Sequence, residues 1–247
     1  MNVLTSIALY YIIAYPFVSE RSLVKTRIHL TEPITRTIRT LIKNESLVQE
    51  RRQQILDGAI EVFLRKGYKA ARLREIAEAC GMSEGAIYRY IGTKDDLLHL
   101  ICGNRARGVE GLDAVLAATG NVTAKDALIT CVRYHFQVGD RSRDYNLFFN
   151  REIRHFSSDD RRVLLDSQVK ILDFFKNLLE KGIHSGEFQM RSPLAVAHNI
   201  LMLGHDWGLR RWFLSQYFTL EEYTDIQIEL LLKQIAATPG GYSPKRV

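Results

Sequence analysis

The chain has 247 residues, 46% of them hydrophobic and 25% charged, and carries a formal net charge of +6. That balance describes a soluble globular protein of one large or two small domains, long enough to bury its own core. Three cysteines (Cys80, Cys102 and Cys131) cannot all pair and show no C-x-x-C spacing, which excludes a disulfide scaffold and a cysteine zinc site and fits a reducing cytoplasm.

The charge is unevenly placed. Residues 1–45 hold six basic and three acidic residues, residues 46–107 hold eleven and eight, and residues 108–247 hold seventeen of each. A basic front joined to a neutral remainder suggests one part that meets a polyanion and another with a different task.

Val3–Val18 is mostly apolar, but it falls short of the ~20 residues that span a bilayer, and Pro16 interrupts it. No basic residue precedes it and no clean small-x-small site follows, which argues against a signal peptide. Residues 19–45 show no helical periodicity. Residues 1–45 therefore read as a poorly ordered or mis-called extension outside the fold and dispensable for DNA binding, and no membrane contact is expected.

From residue 46 onward the pattern is helical. Ile55, Leu56, Ala59 and Phe63 recur at helical spacing opposite Asp57, Glu61 and Arg65, which predicts an amphipathic helix over about 48–66, stopped by Gly67. Leu73, Ile76, Ala77 and Cys80 mark a short second helix. Ser83 is an N-cap candidate for a third, with Met82 and Ile87 at the positions of a hydrophobic staple. Two short helices joined by a turn at Gly81 make a helix-turn-helix pattern, here about 73–92. Thr93 caps a fourth helix expected to run to about Leu116. Beyond Gly120, cap residues predict helices from Thr123 to about Val138, from Asp144 to His155 and from Ser157 to about His184. Two more follow, from Ser192 to about Ser215 and from Thr219 to about Ala237. No strand-like alternation of useful length occurs. The expected fold is all-α: a three-helix DNA-binding domain over 46–107, a helical ligand-binding and dimerisation domain over 108–238, and a tail over 239–247.

The stretch Arg51–Ile101 resembles the DNA-binding domain of TetR-family transcriptional regulators. The matching pieces are Gly67-Tyr68, Arg74-Glu75-Ile76-Ala77, Gly81-Met82-Ser83, Gly85-x-Ile87-Tyr88-x-Tyr90 and Lys94-Asp95-x-Leu97-Leu98. Two positions depart from the pattern: Ala71-Arg72 replaces the usual Ser/Thr at the start of helix two, and Ile91 replaces a Phe. The first removes a hydroxyl that would reach phosphate, though Arg72 offers a charged substitute.

In a helix-turn-helix the second helix reads base edges from the major groove. Gly85 and Ala86 are small enough to let that helix approach, Tyr88 and Tyr90 suit phosphate or a thymine methyl, and Arg89 suits a guanine edge. Ser83 and Lys94 lie at helix starts, which favour phosphate. The candidate DNA-binding set is therefore Arg72, Ser83, Gly85, Ala86, Tyr88, Arg89, Tyr90 and Lys94. Tyr90 is equally readable as core, Ile87 is assigned to the core, and Glu84 reads as a helix-dipole partner.

In the second half, the last helix is apolar almost all round, and Gly204 and Gly208 offer a small-residue face on the helix before it. The resemblance implies that these two helices pair across a two-fold axis into a homodimer that binds a palindromic double-stranded DNA operator. His135, Phe148, Arg151, His155, Trp207 and Arg210 are candidate effector contacts, with Phe149, Arg154, Arg211 and Trp212 beside them. Aromatic walls with arginines suit an anionic amphipathic effector, an acyl-CoA or aromatic acid. The segment Leu179–Phe188 (LEKGIHSGEF) also looks like one found in fatty-acyl-responsive members. No P-loop, G-x-S-x-G or G-x-G-x-x-G occurs, and none of the seven histidines sits in H-x-x-x-H. No catalytic, metal or cofactor site is therefore expected. The leading reading is a ligand-controlled repressor; a constitutive DNA-binding protein and a helical enzyme are the alternatives.

Overall fold

The computed structural model describes residue 38, residues 40–106 and residues 108–236. Ten α-helices occur among them: α1 (Glu45–Lys66), α2 (Leu73–Ala79), α3 (Glu84–Ile87), α4 (Lys94–Ala106), α5 (Gly108–Thr119), α6 (Ala124–Arg141), α7 (Arg143–Glu152), α8 (Ser158–His184), α9 (Pro193–Leu214) and α10 (Leu220–Ile235). The only β feature among the described residues is a bridge between Phe188 and Ala236. The all-α expectation holds.

The contacts divide the chain into two units: unit 1 runs to Ala106 and takes in Asp144–Asp166, and unit 2 holds Arg107–Arg143 and everything from Ser167. This differs from a single cut near residue 107. The reason is apolar: Phe148, Phe149, Ile153 and Phe156, on and just after α7, share one core with Ile55, Phe63, Ile76, Ile87, Ile91 and Ile101 of the head. Phe148 stacks on Phe63 with ring centroids 5.2 Å apart. Burying a Phe contributes about 1.5–3 kcal/mol, so these four rings belong with the element that covers them.

The helix expected over 93–116 is two, α4 and α5. Gly103, Gly108 and Gly111 cluster there, and each glycine weakens a helix by about 1 kcal/mol relative to alanine. In unit 1, Gly81 adopts φ +66°, the left-handed turn that lets α3 leave α2 at an angle. Capping matches the sequence. Oγ1 of Thr123 accepts from the Asp126 N–H at 3.0 Å, Oγ of Ser157 from the Asp160 N–H at 3.0 Å, and Thr219 with Glu222 forms a reciprocal box.

Unit 2 is built on α6, whose buried face (Leu128, Cys131, Val132, Phe136) packs against α9 and α10. The helices α6 and α9 cross where side chains are smallest. A Cβ on Gly204 would stand 2.7 Å from the His135 ring, and one on Gly139 would stand 2.8 Å from the Gly204 carbonyl. The Gly204/Gly208 face is therefore used inside the unit, against α6, and is not open to a second copy as the sequence reading expected. Trp207 lies between these glycines, fully buried, and donates its indole N–H to Asp140 at 2.8 Å.

The segment after α8 ties three helices together. Both Glu187 carboxylate oxygens accept backbone N–H groups at the start of α6, from Ala124 and Lys125, each at 3.0 Å. The Phe188 ring lies over Gly182, and Gln189 donates its N–H to the Ile235 carbonyl at 2.8 Å. Bonding to those free N–H groups holds the Glu187 carboxyl below its ordinary value. The LEKGIHSGEF segment thus has a structural task that the sequence reading did not give it.

Candidate nucleic-acid interface

The core beneath α3 is fixed by Ile87, Tyr90 and Ile91, all buried. Between these anchors the chain presents Ser83, Glu84, Gly85, Tyr88 and Arg89 to solvent, with Ala86 half-buried. Ser83 caps α3, its Oγ accepting from the Ala86 N–H at 3.2 Å. A Cβ on Gly85 would meet nothing within 4 Å, so packing does not demand the glycine and the surface it leaves is open. Tyr88 is 50% exposed, an unusual position for a large ring in a well-packed head.

Arg72 is exposed at the N-cap of α2. Its backbone N–H is met by the Glu75 carboxylate at 3.1 Å, and Glu75 also pairs with Lys66. The Lys66 ammonium first, then the Arg72 N–H, hold the Glu75 carboxyl below its ordinary value. A guanidinium has no acceptor, so the replacement of Ser/Thr by Arg72 leaves α2 with half of a capping box and frees the cation to reach outward.

Two candidates are corrected. Tyr90 is 7% exposed and belongs to the hydrophobic core. Lys94 is engaged by the protein itself. Its ammonium donates to the carbonyls of Tyr68 at 2.9 Å and Ala71 at 3.0 Å, and lies 4.5 Å from the Tyr68 ring centroid. The lysine closes the α1–α2 loop, whose carbonyls point away from either helix; that use outweighs the phosphate role expected from its place at a helix start. Tyr68 in turn donates its hydroxyl to Asp95, and burial together with that bond raises its pKa.

The sequence reading missed the supports of Arg89 and Tyr90. The Arg89 carbonyl accepts from the Leu41 N–H and the Thr40 hydroxyl, both at 3.0 Å. Arg52 on α1 donates to the Tyr90 carbonyl at 3.0 Å and the Ile38 carbonyl at 2.9 Å. Asn44 caps α1 through the Leu47 N–H. Ile38 and residues 40–44 therefore belong to the head, which corrects the boundary at 45; residues 1–37 and the 239–247 tail lie outside the described residues.

The six effector candidates are not one site. Phe148, Arg151 and His155 lie in unit 1, where Phe148 is core and Arg151 donates to the Leu64 carbonyl at 2.5 Å. His155 packs on Tyr68, and burial lowers its pKa, helped by Lys69, Arg154 and Lys94. His135 and Trp207 are buried in unit 2, and Arg210 is exposed and paired with Asp206. Trp212 is 70% exposed. Unit 2 holds two grooves. One of about 290 Å³ lies among α6, α9 and α10, lined by Phe136, Ile200, Leu203, Leu230 and Leu231. Another of about 500 Å³ lies between α5 and α8, with Leu116, Phe174 and Leu178 beside Lys170 and Lys181. Neither includes His135, Trp207 or Arg210. Among the described residues no helix is long and apolar enough to cross a membrane.

A helix-turn-helix with an open reading segment, joined to a separate helical unit, defines a DNA-binding regulator. Residues 55–101 match the family described as bacterial regulatory proteins, tetR family, and residues 121–235 match the tetracyclin repressor-like C-terminal domain. The chain is 44% identical over 213 residues to the transcriptional regulator AcrR of Shigella flexneri, covering 82% of this chain and 97% of that one. A solved tetR-family regulatory protein from Rhodococcus RHA1 superposes with a TM-score of 0.63 at 28% identity, over 76% of this chain and 97% of its own. The regulator FadR of Bacillus subtilis, solved with stearoyl-CoA, shares the fold with a TM-score of 0.59 at 23% identity, over 74% and 98%. The chain belongs to the TetR family of bacterial transcriptional regulators.

Proposed function

We propose that the chain is a repressor that binds a palindromic operator as a homodimer, reading it with Ser83–Arg89, and leaves it when a small molecule occupies unit 2. The observation that carries this reading is the run of exposed residues, Ser83 to Arg89, on a segment whose Ile87 is fully buried. Such a surface costs hydrophobic exposure at Tyr88 and has no use within the fold. The dimer is supported by Ile226 and Leu230 on α10, both large, apolar and exposed in the single chain. An anionic amphipathic effector, an acyl-CoA first and an aromatic acid second, is supported by the fold shared with FadR, whose structure holds stearoyl-CoA. The effector must favour one spacing of the two reading heads over the other, or it shifts nothing.

The test is a mobility-shift assay on the intergenic DNA beside the gene, with acyl-CoAs, free fatty acids, aromatic acids and cationic drugs as a panel. Release by acyl-CoAs or aromatic acids is expected. Release by the cationic compounds alone refutes the anionic reading. Arg89→Ala is expected to cost about 1–3 kcal/mol at one base position, a loss that should vanish on DNA substituted there. Equal affinity of wild type and variant for every duplex would remove Arg89 from the interface.

A further inference from the structure

We propose that Thr40–Lys43 is a DNA-contacting arm, clamped to the exit of the reading segment so that its exposed side chains meet the duplex beside Arg89. The proposal rests on the DNA-reading role given to Ser83–Arg89 and adds a second element to it. The arm is held at three points. The Leu41 N–H and the Thr40 hydroxyl both donate to the Arg89 carbonyl at 3.0 Å, saturating its two lone pairs. Thr40 Oγ1 also accepts from the Ile42 N–H at 3.2 Å, which sets a local turn. Behind them, Arg52 bridges the Ile38 and Tyr90 carbonyls, and Ile38 is buried.

Every bond in this clamp comes from the backbone, the Thr40 hydroxyl or Arg52, so the remaining side chains of the arm are left over. Leu41 is 68% exposed and Lys43 is exposed, on a segment bonded directly to the residue whose guanidinium reads bases. A large apolar side chain held out in water by a fixed backbone is costly for a purely structural strap. Beside DNA it is in place, since arms that accompany a helix-turn-helix insert apolar and cationic side chains along the adjacent groove. The sequence around the clamp is also one-signed: Pro33–Asn44 contains Arg36, Arg39 and Lys43 and no acidic residue. In the acid-rich setting of the whole chain that run is matched to phosphate.

The experiment measures binding of the full chain to a fluorescein-labelled mixed-sequence duplex of about 30 base pairs by anisotropy, as a function of salt. Each phosphate neutralised contributes about 0.9 to the slope of log K against log salt, so Arg36→Gln/Arg39→Gln/Lys43→Gln should flatten it by about 2 to 3 and weaken binding at low salt about tenfold or more. These are surface changes that leave Thr40, Leu41 and Arg52 in place, and circular dichroism should show an unchanged fold. Leu41→Pro removes one clamp bond and no charge; it should weaken binding several-fold. A triple variant with the wild-type slope overturns the arm while leaving Ser83–Arg89 as the reader, provided Arg89→Ala still alters binding. A Leu41→Pro variant with wild-type affinity overturns the clamp. A wild-type chain with no salt-sensitive DNA binding overturns the reading role and the arm with it.

Discussion

Replacing Lys94 with Gln separates the two roles open to a lysine at the start of α4. The ammonium makes charge-assisted hydrogen bonds to the Tyr68 and Ala71 carbonyls, at 2.9 and 3.0 Å. Bonds of this kind contribute about 1.5–3 kcal/mol each, and the lower end applies because the lysine is half-buried. The contact with the Tyr68 ring adds about 0.5–1 kcal/mol. Fixing a long side chain costs up to about 2 kcal/mol of rotamer entropy, which the glutamine regains in part. The expected loss is therefore about 2 kcal/mol, or roughly 4–8 °C in the thermal midpoint of a protein this size. Circular dichroism melting reads the midpoint, and DNA anisotropy across a salt series reads the other role. An unchanged midpoint with a slope flattened by about one would refute the reasoning and return Lys94 to the phosphate contacts.

Two further outcomes follow from the described geometry. Glu187 has a folded-state pKa below its ordinary value of 4.5 because it caps α6, so its stabilisation is present above that value and lost as pH falls toward the lowered one. Glu187→Gln keeps an acceptor and removes the charge; the thermal midpoint of the variant should fall less steeply across this acid range, and parallel curves for the two proteins would contradict the capping role. Leu230→Asp places a charge on the exposed apolar face of α10 and should give monomers, or insoluble protein, with loss of operator binding. Sedimentation showing wild-type monomers at micromolar concentration would end the dimer reading.

What was legible in the sequence was local. Ser83, Thr123, Ser157 and Thr219 announce helix starts because a cap and its partner lie three residues apart. Ile87 and Phe63 announce the core because burial repeats with the helical period. The misses all involve partners far apart in the chain. Lys94 finds carbonyls more than 20 residues back, and Phe148 stacks on Phe63, whose position no periodicity in α7 reveals. Gly204 looked like a face for a second copy, yet the same small surface suits α6 within the chain, and sequence spacing does not distinguish the two. Thr40 and Leu41 carry no signal of their own, because the group they bind is a backbone carbonyl.

The alternation along α3 and its flanks has an evolutionary consequence. Ile87, Tyr90 and Ile91 hold the segment, while Glu84, Gly85, Tyr88 and Arg89 touch little of the core. Substitutions at the second group change which bases are met and leave the folding free energy within the roughly 0.5 kcal/mol typical of surface positions. Duplicated copies of such a gene are therefore free to drift toward new operators one residue at a time, without passing through unstable intermediates.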